Sequence, residues 1–268
     1  HKVGKKDIDF YDKVFLQPKL DGVRCVFTKD GAFSRTGKQF KNVAHLEHDL
    51  ADFFRRHPFT ILDGELYNHK LKHDFEKIIS LVRKTKPTED DRLDAQHLVQ
   101  YHVYDTVASF VNYEARYDWL VSNLPIARSM TLIINPIVRS MTEAKEMHEA
   151  YLNQGYEGSM LRLNKPYEQK RSYNLQKFKD FHDTEATIID YVTGKGKRIG
   201  TLGKFIMRDD EGVEFGCPPG KGYNYEDLAD MLVDVNDYIG KRATFTYFQR
   251  TKAGSYRHPL FKALRNYE

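Results

Sequence analysis

After about residue 182 the texture of the chain changes, and that change limits the architecture more than any other feature. From there ATIIDYVTG, KFIMRD, VEFGCPP and KRATFTYFQR are short strand-like runs separated by glycine-rich turns, with one segment, EDLADMLVDVNDYIG, suited to a helix. Several short strands plus one helix in about 85 residues describe a small five-stranded barrel of the OB type. Such barrels commonly hold oligonucleotides, although a fold alone does not establish function. Upstream, β-rich runs (RCVFT, FTILDGEL, QYHVYDTV) mix with helical stretches (VAHLEHDLADFFRR, TEAKEMHEAYLNQG), which is an α+β pattern. The polar stretch KTKPTEDDRLDAQH reads as a surface excursion with helical tendency, because a β-like run resumes directly after it. The expected division is therefore residues 1–182 and 183–268.

Whole-chain numbers set the class. The 268 residues, 40% hydrophobic, suffice for one large and one small packed core. No apolar run approaches the roughly 20 residues that span a bilayer, and the opening HKVGKKDIDFYDK is charged, unlike a signal peptide. The expectation is a cytoplasmic protein, in the host cytoplasm if phage-encoded. The periplasm stays open, because the chain begins at His1 without a methionine and a leader could have preceded it. Cys25 and Cys217 are the two cysteines, far apart, so neither a disulfide framework nor a zinc site is expected. The net charge of +4 and a pI near 8.8 permit nucleic-acid binding without establishing it.

Lys19 lies in QPKLDGVR directly after a β-like run. Alone, it would be an ordinary turn lysine. Four further segments supply what lysine nucleotidyl transfer needs. FTILDGELYN places Asp63 and Glu65 two apart, hence on one face of an extended strand, and LQKFKDF does the same for Lys177 and Lys179. QGYEGSMLRL adds Glu157, and SRTG adds Ser34 and Arg35, polar groups suited to phosphate. Together these give carboxylates for a hydrated Mg²⁺ and cations for a triphosphate.

In this order, KLDGVR, SRTG, LDGEL, VYD, EGSMLR and LQKFK resemble the nucleotidyltransferase motifs of ATP-dependent DNA ligases, spanning residues 19–179. RHPLFKALR resembles the final arginine-containing motif of small viral, phage and bacterial members, and departs from the RxDK form of larger ones. The resemblance implies an α+β nucleotidyltransferase (adenylation) domain followed by an OB-fold domain. Its implied cofactors are ATP and Mg²⁺, with Mn²⁺ as an alternative. The implied partner is nicked duplex DNA, bound by a monomer that needs no second protein.

It also implies residue roles. Lys19 would attack the α-phosphorus of ATP, expel pyrophosphate and carry AMP, which then passes to the 5′-phosphate of a nick before the 3′-hydroxyl displaces it. The attacking amine must be neutral, and an unperturbed lysine has a pKa near ~10.4. Arg24, Lys177, Lys179 and Mg²⁺ are the expected groups that lower it. Asp63, Glu65 and Glu157 would hold the metal, with Glu65 also on the ribose and Asp21 helping to arrange metal and nick ends. Tyr104 and Met160 would flank the adenine, Gln17 would read its edge, and Arg257 and Arg265 would approach the pyrophosphate. Ser34, Arg35 and the turn GKGKRIGTLGK, with Lys195, Lys197, Arg198 and Lys204, would contact DNA phosphates. That turn has no room for the long latch of some viral relatives, so the latch-lacking bacterial and phage enzymes are the better match.

Rival readings separate on the same motifs. A capping guanylyltransferase shares a KxDG lysine, but SRTG and LQKFK favour the ligase. An RNA ligase shows a different lysine motif, and an NAD-dependent ligase needs an N-terminal domain, whereas 18 residues precede Lys19. A binding module that has lost its chemistry would not retain the full set of lysines and carboxylates. His45 and His48, and His69 and His73, read as solvated or packing side chains, and no transition metal is expected.

Overall fold

A computed structural model describes residues 3, 4, 7–72, 74–178, 182–220, 222–251 and 253–265. The chain forms two compact units, His1–Lys179 and Asp180–Glu268.

The first unit runs β1 (Val14–Lys19), β2 (Val23–Thr28), β3 (Gly31–Phe33), α1 (Ala44–Arg56), β4 (Leu62–Tyr67), α2 (Phe75–Val82), α3 (Glu89–Leu98), β5 (Gln100–Thr106), α4 (Tyr113–Asn123), β6 (Met130–Leu132), β7 (Ile137–Val138), α5 (Met141–Asn153), β8 (Gly158–Leu163) and β9 (Leu175–Phe178). The polar excursion becomes α3, started by Thr88, whose side chain accepts from the Asp91 amide in a reciprocal capping box. The strands make two sheets, ordered β7-β1-β8-β9 and β3-β2-β4-β5-β6.

Strand alternation gives each sheet a dry face and a polar face. In the four-stranded sheet, Val14, Leu16 and Leu161 join Ala144 of α5 in one core. In the five-stranded sheet, Cys25, Phe27, Leu62, Leu66 and Val103 join a core with the helices. Helix α1 contributes Leu46, Leu50, Phe53 and Phe54, all buried and recurring at helical spacing. The opposite faces carry Gln17, Lys19, Met160 and Arg162 from one sheet and Arg24, Asp63 and Glu65 from the other.

One buried imidazole makes this unit acid-sensitive. His102 is 7% exposed, stands edge-on to the Tyr67 ring at 5.2 Å, and donates from Nε2 to Gln100 Oε1 at 3.2 Å. Burial, with a smaller contribution from nearby His69, pulls its pKa from 6.5 down to about 4. The folded state thus refuses a proton that the unfolded chain accepts. Stability is full above pH 6.5 and is lost as pH falls towards 4, by on the order of 3 kcal/mol. In urea titrations across that window, His102→Gln should show a shallower loss than the parent chain. Equal slopes would assign the acid sensitivity elsewhere.

The second unit runs β10 (His182–Thr193), β11 (Leu202–Arg208), β12 (Glu214–Cys217), α6 (Tyr225–Val233), β13 (Arg242–Tyr247), β14 (Gln249–Arg250), β15 (Tyr256–Arg257) and β16 (Leu260–Leu264). Five strands in the order β12-β11-β10-β13-β16 form the sheet. A bridge between Pro219, just past β12, and Phe261 of β16 joins its two edges into a barrel. Phe205, Phe215, Phe245 and Phe261 fill the interior with Leu228 and Met231 of α6. This is the five-stranded, one-helix barrel expected from the turn spacing. Residues 194–201 connect β10 to β11. Among the described residues no helix is long and apolar enough to cross a membrane.

Candidate active site

Two motif glycines explain how the site closes on Lys19. A Cβ on Gly22 would lie 2.5 Å from the Leu66 carbonyl oxygen and 2.7 Å from Glu65 Cγ, so only glycine lets the β1–β2 turn lie against β4. Gly158 has φ +146°, and a Cβ there would meet the Phe178 carbonyl oxygen at 2.4 Å. In β1–β8 pairing Lys19 lies opposite Gly158 and Gln17 opposite Met160, which sets both lysine and glutamine on one face. In β2–β4 pairing Arg24 lies opposite Glu65 and Val26 opposite Asp63. A register shift opposite Asp63 and Gly64 leaves Tyr104 unpaired between Val103 and Asp105. This bulge turns Tyr104 and Asp105 towards the same side, where simple alternation would oppose them.

These faces line a cavity of about 790 Å³. Gln17, Lys19, Arg24, Glu65, Tyr104 and Met160 form its walls, and Ser34, Arg35 and Asp63 also border it. The Lys19 ammonium pairs with the buried Glu157 carboxylate, while the Glu157 amide donates to the Lys19 carbonyl at 3.1 Å. Arg24 donates from Nε and Nη2 to the two oxygens of Asp63 at 2.9 and 2.8 Å. The Tyr167 hydroxyl donates to Asp63 Oδ2 at 2.7 Å and accepts from Arg24 at 3.1 Å. Burial, with the charges of Asp63 and Glu157 and against the pull of Lys19 and Arg24, pushes the Glu65 carboxyl up to about 8. Burial likewise holds Tyr104 as a neutral phenol, well above its usual pKa.

Part of the cavity wall is a buried charged cluster. Arg116 grips Asp105 with two bonds, Nε to Oδ1 at 2.8 Å and Nη2 to Oδ2 at 3.0 Å, and Arg162 adds Nη1 to Oδ2 at 2.5 Å. Asp105 is fully buried, and the two arginines are 3% and 7% exposed. Burial works against the Arg162 charge, and Asp105 together with Tyr113, Asp63 and Tyr104 more than offsets it, so its pKa rises.

Lys177 pairs with Met160 across β8–β9, which sets it on the sheet face of Met160 and Gln17; it is exposed and is not among the residues lining the cavity. Asp21 lies in the β1–β2 turn. Lys179, like His73, falls outside the described residues. Among the described residues no group of three or more His, Cys, Asp or Glu side chains forms a metal cluster. Asp63, expected as a metal ligand, has both oxygens engaged by Arg24 and Tyr167. The group against the Lys19 amine is the Glu157 carboxylate. In the second unit, Arg265 Nε pairs with Glu185 at 2.9 Å and the Arg257 guanidinium lies 5.9 Å from the Phe248 ring centre. Lys195, Lys197, Arg198 and Lys204 are exposed on and beside the β10–β11 connection.

Sequence reasoning passed over Asp105, Arg116, Arg162, Asn135 and Tyr167. Arg162 had a signal, since it follows Met160 by two in EGSMLR and so shares its face. Asp105 sits inside VYD, but the bulge conceals its direction.

Comparison with known proteins shows the family. Residues 5–179 match the model for the ATP dependent DNA ligase domain, and residues 193–265 match the DNA ligase OB-like domain. The DNA ligase of Haemophilus influenzae is 27% identical over 250 residues, covering 92% of this chain and 84% of that protein. The DNA ligase of African swine fever virus is 27% identical over 205 residues, covering 70% of this chain and 46% of the viral protein. The chain thus spans about half the length of that viral relative. In fold, the structure is similar to a Lig E DNA ligase with a TM-score of 0.82 at 24% identity, covering 98% of this chain and 96% of that one. With the first match alone taking in well over half of its residues, the chain belongs to the ATP-dependent DNA ligase family.

Proposed function

We propose that the chain seals nicks in duplex DNA, using ATP and a covalent AMP on Lys19. The observation that carries this reading is the Lys19 amine held by Glu157 at the wall of a 790 Å³ cavity that also presents Arg24, Glu65 and Tyr104. A cavity of that size suits a nucleotide. Tyr104 and Met160 offer apolar surface for a base, Gln17 its polar edge, and Arg24 with Arg35 positive charge for phosphates. Lys177 and Lys179 would add charge for the α-phosphate.

In the first step Lys19 must leave its pairing with Glu157 and lose a proton. Its Nζ then forms a bond to the α-phosphorus as the bond to the pyrophosphate oxygen breaks, and cationic side chains stabilise the charge on the oxygens. The AMP passes next to the 5′-phosphate of the nick, and finally the 3′-hydroxyl displaces AMP. Glu65 and Glu157 are carboxylate oxygen donors of the kind that suits a hard divalent cation such as Mg²⁺, and a bound cation would offset the burial that pushes the Glu65 carboxyl up. When bound, such an ion supplies charge neutralisation at phosphate oxygens. Asp63 joins that set only by releasing Arg24 and Tyr167, and Asp21 lies near enough in sequence to assist. Arg257, Arg265 and the exposed Lys195, Lys197, Arg198 and Lys204 would serve pyrophosphate and DNA phosphates, with the protein acting as a monomer.

The test is sealing of matched substrates: a nicked DNA duplex, the same duplex with RNA on either side of the nick, and single-stranded RNA, each with ATP, GTP or NAD. Sealing of nicked DNA with ATP is expected. Joining of single-stranded RNA without nicked-DNA sealing would overturn the assignment.

A further inference from the structure

We infer that Asn135 is a specificity-positioning residue that locks the Gln17 amide in one orientation, so that the cavity accepts adenine and rejects guanine. The inference rests on the proposed function, in which Gln17 meets the base edge. Gln17 is 3% exposed, lies two residues before Lys19 on the same face of β1, and borders the cavity.

A chain of hydrogen bonds fixes which end of each amide is nitrogen. Asn135 Nδ2 donates to the Ile133 carbonyl at 2.8 Å, and a carbonyl can only accept. The Asn135 oxygen therefore faces Gln17, whose Nε2 donates to it at 2.5 Å. Gln17 Oε1 in turn accepts from Arg162 Nη2 at 3.2 Å, and a guanidinium can only donate. Arg162 is itself held by the buried Asp105. With an acceptor-only group at one end and a donor-only group at the other, neither amide can turn over without losing two buried hydrogen bonds.

The consequence is chemical. A freely rotating primary amide pairs with adenine by accepting from the 6-amino group and donating to N1. Turned over, it pairs equally with guanine by donating to O6 and accepting from N1–H. Asn135 takes one N–H of Gln17 and Arg162 one lone pair, and the Tyr113 hydroxyl engages the amide as well, so what Gln17 offers the base is held in a single order. Discrimination between the two purines at their N1 and 6-position edge then comes from Asn135, which need not touch the base.

The test compares kcat/KM for labelling of the protein by ATP and by GTP, each carrying a labelled α-phosphate, in the parent chain, Asn135→Ala and Asn135→Leu. The leucine variant fills the space of the amide, so a packing loss and a lost lock are separated. Both variants should lower the ATP-to-GTP ratio roughly 10- to 100-fold, chiefly by raising the GTP value. An unchanged ratio, even with both rates reduced, would overturn the inference. If the parent chain takes label from neither nucleotide, the proposed function itself fails, and that result is visible before any variant is compared.

Discussion

Lys19→Ala is expected to take no label from ATP labelled at the α-phosphate, a fall of at least about a thousandfold that no neighbouring side chain can rescue. The reason is geometric. Lys165 and Lys170 also border the cavity, but they belong to the β8–β9 connection and pair with Asp12 and Glu168. Among the described residues, Lys19 is the lysine that combines the cavity wall with a buried carboxylate partner. Lys19→Arg sharpens the test, because arginine keeps a charge for Glu157 yet cannot be deprotonated in a protein and cannot act as the nucleophile. Both variants should be equally silent. A nick that already carries AMP on its 5′-phosphate bypasses the lysine, so Lys19→Ala should still close it, which distinguishes a lost nucleophile from a collapsed site. Label appearing on Lys19→Ala would move the nucleophile elsewhere.

Much of this site was legible because strand alternation is simple physics. Positions two apart face the same way, so Asp63 with Glu65 could be grouped from the sequence alone, while Gln17 came from the family resemblance. The barrel was legible for a related reason: short strands between glycine-rich turns have few other ways to hide a core. What escaped reading depends on distance in the chain or on irregularity. Tyr167 reaches Asp63 across 104 residues and Asn135 reaches Gln17 across 118, and neither carries a local pattern. The bulge at Tyr104 makes two consecutive residues face one side, which no alternation rule anticipates. The Lys19–Glu157 pair was hidden differently. Both residues were identified, but only the β1–β8 register brings the carboxylate to the amine.

Removing the Asp105 carboxylate, as in Asp105→Ala, is expected to cost about 3–5 kcal/mol of folding stability, because it leaves two buried guanidiniums without their counter-charge. Arg116 makes two of its bonds to that carboxylate and Arg162 one. Arg162 can adapt less, since its Nε already has no hydrogen-bond partner among the described residues. For a unit of this size the loss corresponds to roughly 10 °C in its melting temperature. Asp105→Asn should fall between, keeping one acceptor oxygen while losing the charge. The exposed Asp52–Arg55 pair supplies the contrast, with 82% and 73% of the side-chain surfaces open to water. Asp52→Ala should therefore leave stability within about 0.5 kcal/mol of the parent. If thermal denaturation gave Asp105→Ala and Asp52→Ala similar midpoints, the cluster in the cavity wall would not be a structural keystone. The nucleotide wall built on Arg162 would then need another source of rigidity, because the Gln17 lock is only as firm as the arginine that anchors it.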